Sequence, residues 1–78
     1  MIERSGNDVM QKLACERFKR ELTLKSVAEF IGVDTKTLSL YERLRVNAPF
    51  WVVESFCKKL EFKIVIFDKR GKKIYESV

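Results

Sequence analysis

The side chains that could do chemistry in this chain are few, and they do not suit catalysis. No His occurs among the 78 residues, so Ser–His and Cys–His nucleophile pairs are excluded within the chain. Cys15 and Cys57 each stand alone, with no CxxC pair. A structural zinc site needs four N or S ligands, and two cysteines without histidine do not supply them. There is no Gly-rich phosphate loop and no carboxylate pair at a useful spacing. No enzyme activity, metal or cofactor is therefore expected. The cysteines read as reduced core thiols, which points to a cytoplasmic protein. What the chain has in quantity is positive charge: 16 Lys and Arg against 11 Asp and Glu, net +5. That surplus suits an anionic partner that is bound rather than transformed.

The charge is spread through the body of the chain. Residues 13–60 carry nine basic and six acidic residues, and residues 61–78 carry five and three. Arg17 poses a particular problem. By helical angle it falls inside an apolar arc, between Leu13 and Phe18, and a charge on a buried side needs a partner.

The elements that must position these residues follow from capping and periodicity. A chain of 9.2 kDa makes one domain, burying roughly 63% of its unfolded surface. A core that small is marginal alone. Residues 1–7 read as a flexible N-terminal arm, with Asn7 or Asp8 capping a helix over about 8–20 that turns Val9, Leu13 and Phe18 inward, Ala14 and Cys15 beside them. Thr23 caps a second helix over about 24–31, with Val27, Ala28 and Ile31 inward and Gly32 at its end. Asp34 caps a third over about 35–43, with Leu38 and Tyr41 inward. Pro49 opens a fourth over about 49–60. Phe50, Val53, Phe56, Cys57 and Leu60 share its apolar face, with Trp51 and Val52 off that face. The period then changes: residues 62–67 read as a strand, Asp68–Gly71 as a turn, and 72–77 as a second, weaker strand. A lone hairpin is not stable in water. Pairing with a second copy through Phe62, Ile64 and Ile66 is the economical solution. Lys69, Arg70, Lys72 and Lys73 are most simply a solubilising turn; a DNA-backbone contact is the sharper reading. No apolar run approaches the ~18–20 residues of a membrane helix, and no hydrophobic signal region follows Met1-Ile2-Glu3-Arg4.

Two short helices joined by a turn containing Gly have the spacing of a helix-turn-helix. The segment Leu22–Glu42, LTLKSVAEFIGVDTKTLSLYE, resembles the lambda-repressor-like (Xre/Cro) family. The match rests on Leu22-Thr23 at the entry, small Ala28 in the second helix, Gly32 in the turn, and Thr37, Leu38, Ser39, Leu40, Tyr41 and Glu42 in the third helix. It covers about residues 9–60. The family's helix-1 Arg falls on Arg17, and the resemblance implies that it pairs with Glu42 as a buried ion pair. The fold implied is mainly α: a four- to five-helix domain over 8–60, with a C-terminal strand or hairpin over 61–78 for dimerisation.

The resemblance also implies a function. The third helix would enter the major groove, Thr35, Lys36, Ser39 and Leu40 meeting base edges. Lys25 with the second helix's N-terminus, Thr37, Arg43 and Arg45 would hold phosphates. The expected protein is a sequence-specific transcriptional regulator, a repressor above all, binding double-stranded DNA at a palindromic operator as a homodimer. Phage Cro proteins and HipB-type antitoxins also place strands after the helices, which makes a toxin the further partner to consider. Departures from the pattern are Leu24 for the family's Gln, Glu21 and Leu44 for its two flanking Gly residues, and apolar Leu40. They keep a second reading open, a protein-interaction module that has lost DNA reading, docking through Leu24, Leu40, Leu44 and Trp51.

Overall fold

In the computed structural model the backbone is described for residues 5–76 and the side chains for residues 9–76. The chain is a mainly helical domain followed by one small hairpin. Its elements are α1 (Ser5–Lys19), α2 (Leu24–Ile31), α3 (Thr35–Glu42), α4 (Phe50–Lys59), β1 (Val65–Phe67) and β2 (Lys73–Glu76). Among the described residues no helix is long and apolar enough to cross a membrane.

The helices pack α2 against α3 and α4, with α1 laid across α3 and α4. The core is Met10, Leu13, Val27, Ala28, Ile31, Leu38, Val52, Phe56, Cys57 and Leu60. α2 is built as its residues require. Thr23 Oγ1 accepts the Ser26 N–H at 3.0 Å, Val27, Ala28 and Ile31 are buried, and Gly32 closes the helix at φ +96°.

α1 differs from expectation at both ends and in its face. It begins at Ser5, so residues 5–7 of the expected arm are helical; residues 1–4 and the Asn7 and Asp8 side chains lie outside the described residues. Its inward arc is Met10 and Leu13, leading on to Arg17. At about 100° per residue, Val9 and Phe18 fall on opposite flanks of that arc. Phe18 is accordingly 76% exposed, and Val9 is exposed as well. Cys15 points outward; only Cys57 is a core thiol. Burial pushes the Cys57 thiol above its ordinary value, and neighbouring Glu54 adds to the shift.

α4 is rotated from the expected face. Val52 is fully buried, while Phe50 and Trp51 are about half exposed. The burial centre falls between Val52, Phe56 and Leu60, which leaves Phe50 on the rim and Trp51 on the far side. Pro49 caps α4 from outside with extended backbone, its carbonyl accepting the Val52 and Val53 N–H groups at 3.0 and 3.3 Å.

β1 and β2 pair antiparallel, Val65 opposite Glu76 and Ile66 opposite Tyr75, with a bulge before Phe67 pairs with Lys73. The expected strand over 62–67 is strand only from Val65 onward. The Arg20 guanidinium lies 5.1 Å over the Phe62 ring, and Ile64 packs against the core. These contacts hold 62–64 to the helical body. Of the expected dimer-strand residues, Phe62 and Ile64 thus precede the strand, and Ile66 is paired within the chain. The weaker strand is Lys73–Glu76; Ser77 lies outside the described residues.

Candidate nucleic-acid interface

α3 owes its position to α2 on one side and α1 on the other. Val33 and Asp34 bring the chain out of the Gly32 turn, and the Val33 N–H donates back to the Ala28 carbonyl at 3.1 Å. Leu38 is fully buried and Tyr41 packs against the core, which turns the opposite side of α3 outward. Thr35 and Lys36 are exposed there, and Ser39 and Leu40 are partly so.

The far end of α3 is clamped to α1. Arg17 Nε and one terminal nitrogen donate to the two Glu42 carboxylate oxygens at 2.7 and 2.9 Å. The other terminal nitrogen donates to the Leu22 carbonyl at 2.7 Å. The two side chains are only 13% and 9% exposed, so this is a nearly buried fork-to-fork pair, the strong form of the interaction.

Asp34 stands at the N-cap of α3 but makes no cap bond to its backbone. Its carboxylate instead accepts the Thr37 hydroxyl at 3.2 Å. Thr37 is thereby turned toward an acid, which disfavours its expected contact with a phosphate. One N–H at the α2 N-terminus is likewise taken, by Thr23.

The cations fall into two groups. Arg17, Lys19, Arg20, Lys63 and Lys73 each have a carboxylate within reach. Ten other cations have no acidic partner among the described residues, Lys12, Lys58, Lys59, Lys69, Arg70 and Lys72 together with Lys25, Lys36, Arg43 and Arg45, and the last four are exposed. These four are the cations singled out from the sequence. In the chain they run from the start of α2 to the loop after Glu42, and a polyanion laid along α3 would meet positive charge that no described carboxylate neutralises.

The geometry also explains the two missing glycines. Glu21, Leu44 and Glu61 all adopt left-handed backbone, at φ 57°, 60° and 63°. Each ends a helix with the same double hydrogen bond. After α3, for example, the Leu44 N–H donates to Tyr41 O at 3.1 Å and the Arg45 N–H to Leu40 O at 2.9 Å. This is the Schellman closure, whose pivotal residue is usually Gly. The chain keeps the turn without the glycine.

Arg20 is a residue that sequence reasoning did not pick out. It donates to the Leu60 carbonyl at 2.8 Å, pairs with Glu16 at 3.2 Å and covers Phe62, tying the end of α1 to the end of α4. Only the Glu16–Arg20 spacing was visible in the sequence. Among the described residues no group of His, Cys, Asp or Glu is arranged to hold a metal ion. Compared with family models, curated proteins and solved structures, the chain matches none.

Proposed function

We propose that this chain is a DNA-binding transcriptional regulator of the lambda-repressor-like helix-turn-helix type, acting in the cytoplasm as a homodimer on a palindromic operator. The observation that carries the reading is exposed Lys36 on α3, with exposed Lys25 at the start of α2 and exposed Arg43 and Arg45 just after α3, all without acidic partners among the described residues. Two short helices, α2 and α3, joined by the Gly32 turn support the motif, as does the Arg17–Glu42 fork that fixes α3 against α1. In this reading Thr35 and Lys36 meet base edges, Lys36 donating to guanine O6 and N7, with Ser39 and Leu40 one turn further on. Lys25, Arg43 and Arg45 hold phosphates, which makes binding steeply salt-dependent. Thr37 contributes less than its position suggests, because its hydroxyl is engaged by Asp34.

A dimer would set two α3 helices about one duplex turn apart, ~34 Å. The hairpin is the proposed contact between copies. Val65, Ile66, Phe67, Ile74 and Tyr75 are all exposed on it, and among the described residues each strand has an outer edge without a partner strand. The antitoxin role is a branch of the same proposal, with the toxin as an added partner. A competing reading, a protein-docking module without DNA binding, draws on the exposed Leu44 and Trp51. Leu24 and Leu40, which it would also use, are half-buried.

Gel shift of the full chain on the promoter of its own operon tests the proposal. A shift is expected, and Lys36→Gln with Arg43→Gln should weaken it at least tenfold. A folded dimer that shifts no DNA at low salt would overturn it, and a double variant binding like the parent would move the contact away from α3.

A further inference from the structure

We propose that the tip of the hairpin is a second duplex contact, in which Lys69, Arg70 and Lys72 grip phosphates of the same duplex that α3 reads. This rests on the DNA-binding reading above and extends it from one element to two.

The tip is a built turn. Asp68 Oδ1 accepts the backbone N–H groups of both Arg70 and Lys72, each at 2.9 Å. The Asp68 N–H donates to Lys72 O at 2.8 Å, and the Gly71 N–H donates to Asp68 O at 3.0 Å. Gly71 makes this possible at φ +85°, where a side chain would be strained. The one acid of the turn therefore faces the turn's own backbone, on a frame that presents three cations outward.

Charge is also sorted along the hairpin. Toward its root, Lys63 and Lys73 both pair with Glu76. At the tip, Lys69, Arg70 and Lys72 are exposed, and among the described residues none has a carboxylate partner. Solubility alone asks only for charge somewhere on the surface. Neutralised cations at the root and bare ones on an ordered tip are the arrangement of a phosphate contact, with Lys as a point charge and Arg as a fork.

The hairpin is placed to take part. Tyr75 fastens it to α4: its ring meets Phe50 edge-on at 5.8 Å, and its hydroxyl donates to the Glu54 carboxylate. Phe50 opens the helix that follows the loop carrying Arg43 and Arg45. The longest dimension of the molecule is 39 Å, close to one duplex turn of ~34 Å, so a duplex of about 30 base pairs is longer than the whole domain.

The test is a salt titration of the full chain binding a labelled duplex of about 30 base pairs, read by fluorescence anisotropy. Each phosphate contact contributes about 0.9 to the slope of log affinity against log salt. The triple variant Lys69→Gln, Arg70→Gln, Lys72→Gln should flatten that slope by about two to three. Asp68→Asn keeps an acceptor for the turn and removes the one negative charge, so it should bind several-fold tighter, a gain that misfolding does not mimic. A triple variant with the parent's slope and affinity overturns the proposal while leaving DNA binding by α3 intact. So does a triple variant that loses affinity only because light scattering shows it has become monomeric, and so does one that loses only binding to phosphatidylserine vesicles. A parent chain that binds no duplex defeats this proposal together with the reading it rests on.

Discussion

Arg17 serves three acceptors from one guanidinium: both Glu42 oxygens and the Leu22 carbonyl. Its charge is tolerable in the apolar arc of α1 only because all three are present. Removing one partner strands the other in a poorly hydrated site, so Glu42→Ala should cost about 3 kcal/mol in urea unfolding. The double change Arg17→Met with Glu42→Leu should cost less than that single one, since no charge is left behind. The left-handed residues give the opposite sign. A side chain at positive φ costs about 1–2 kcal/mol, partly offset by the roughly 0.5–1 kcal/mol that glycine loses in chain entropy. Leu44→Gly and Glu61→Gly should each raise stability by up to about 1 kcal/mol, measurable as a higher urea midpoint with unchanged slope. Both residues are exposed, so little packing is lost.

At the scale of elements, the hairpin is held by titratable groups and should depend on pH at both ends. Tyr75 donates to the Glu54 carboxylate, and this bond raises the phenol above its ordinary 10.0. A raised phenol favours the folded hairpin below about pH 10, and the contribution is lost as pH rises through the shifted value. Glu76 behaves the other way. Hydrogen bonds from Lys63 and then Lys73 hold its carboxyl below the ordinary 4.5. That contribution is present above about pH 4.5 and is lost as pH falls through the lowered value. The tyrosine absorbance of a Tyr41→Phe variant, whose remaining tyrosine is Tyr75, should titrate later than free tyrosine. Amide protection factors across β1 and β2, exchange rates taken relative to the unfolded chain at the same pH, should be highest between those limits. A Glu54→Gln variant that leaves the Tyr75 titration unchanged would discount the anchor.

At the scale of the whole molecule, Val65, Ile66, Phe67, Ile74 and Tyr75 of the hairpin are exposed, as are Phe50 and Trp51 of α4, and exposed apolar side chains in number are the usual mark of a contact surface. A second copy would cover it. Ending the chain after Ile64 keeps Leu60 and Ile64 against the core and removes the pairing edges, so under the proposed dimer the product should sediment as a monomer at concentrations where the full chain sediments as two copies. If the shortened chain sediments as the same dimer, the contact between copies lies on the helices.

Much of the helical layout was legible in the chain, because caps and turn residues act locally. Thr23, Gly32, Asp34 and Pro49 each bound a helix where they stand, and the α2 face of Val27, Ala28 and Ile31 followed from spacing alone. The Arg17–Glu42 partnership, between residues 25 positions apart, came from the family resemblance and not from local periodicity. Only the tertiary structure decided which flank of an amphipathic stripe is buried. Helical angle put Val9 and Phe18 inward and Val52 outside the α4 face; packing of α1 on α3 and α4 chose Met10 over Val9 and left Phe18 outside, and packing of α4 on α2 chose Val52 over Phe50. It also decided that Phe62 and Ile64 serve the helical body rather than a strand, through Arg20 and the core. Contacts between residues forty positions apart leave no periodic trace in a sequence, and the free side of each cation is set by which carboxylates the fold brings near it.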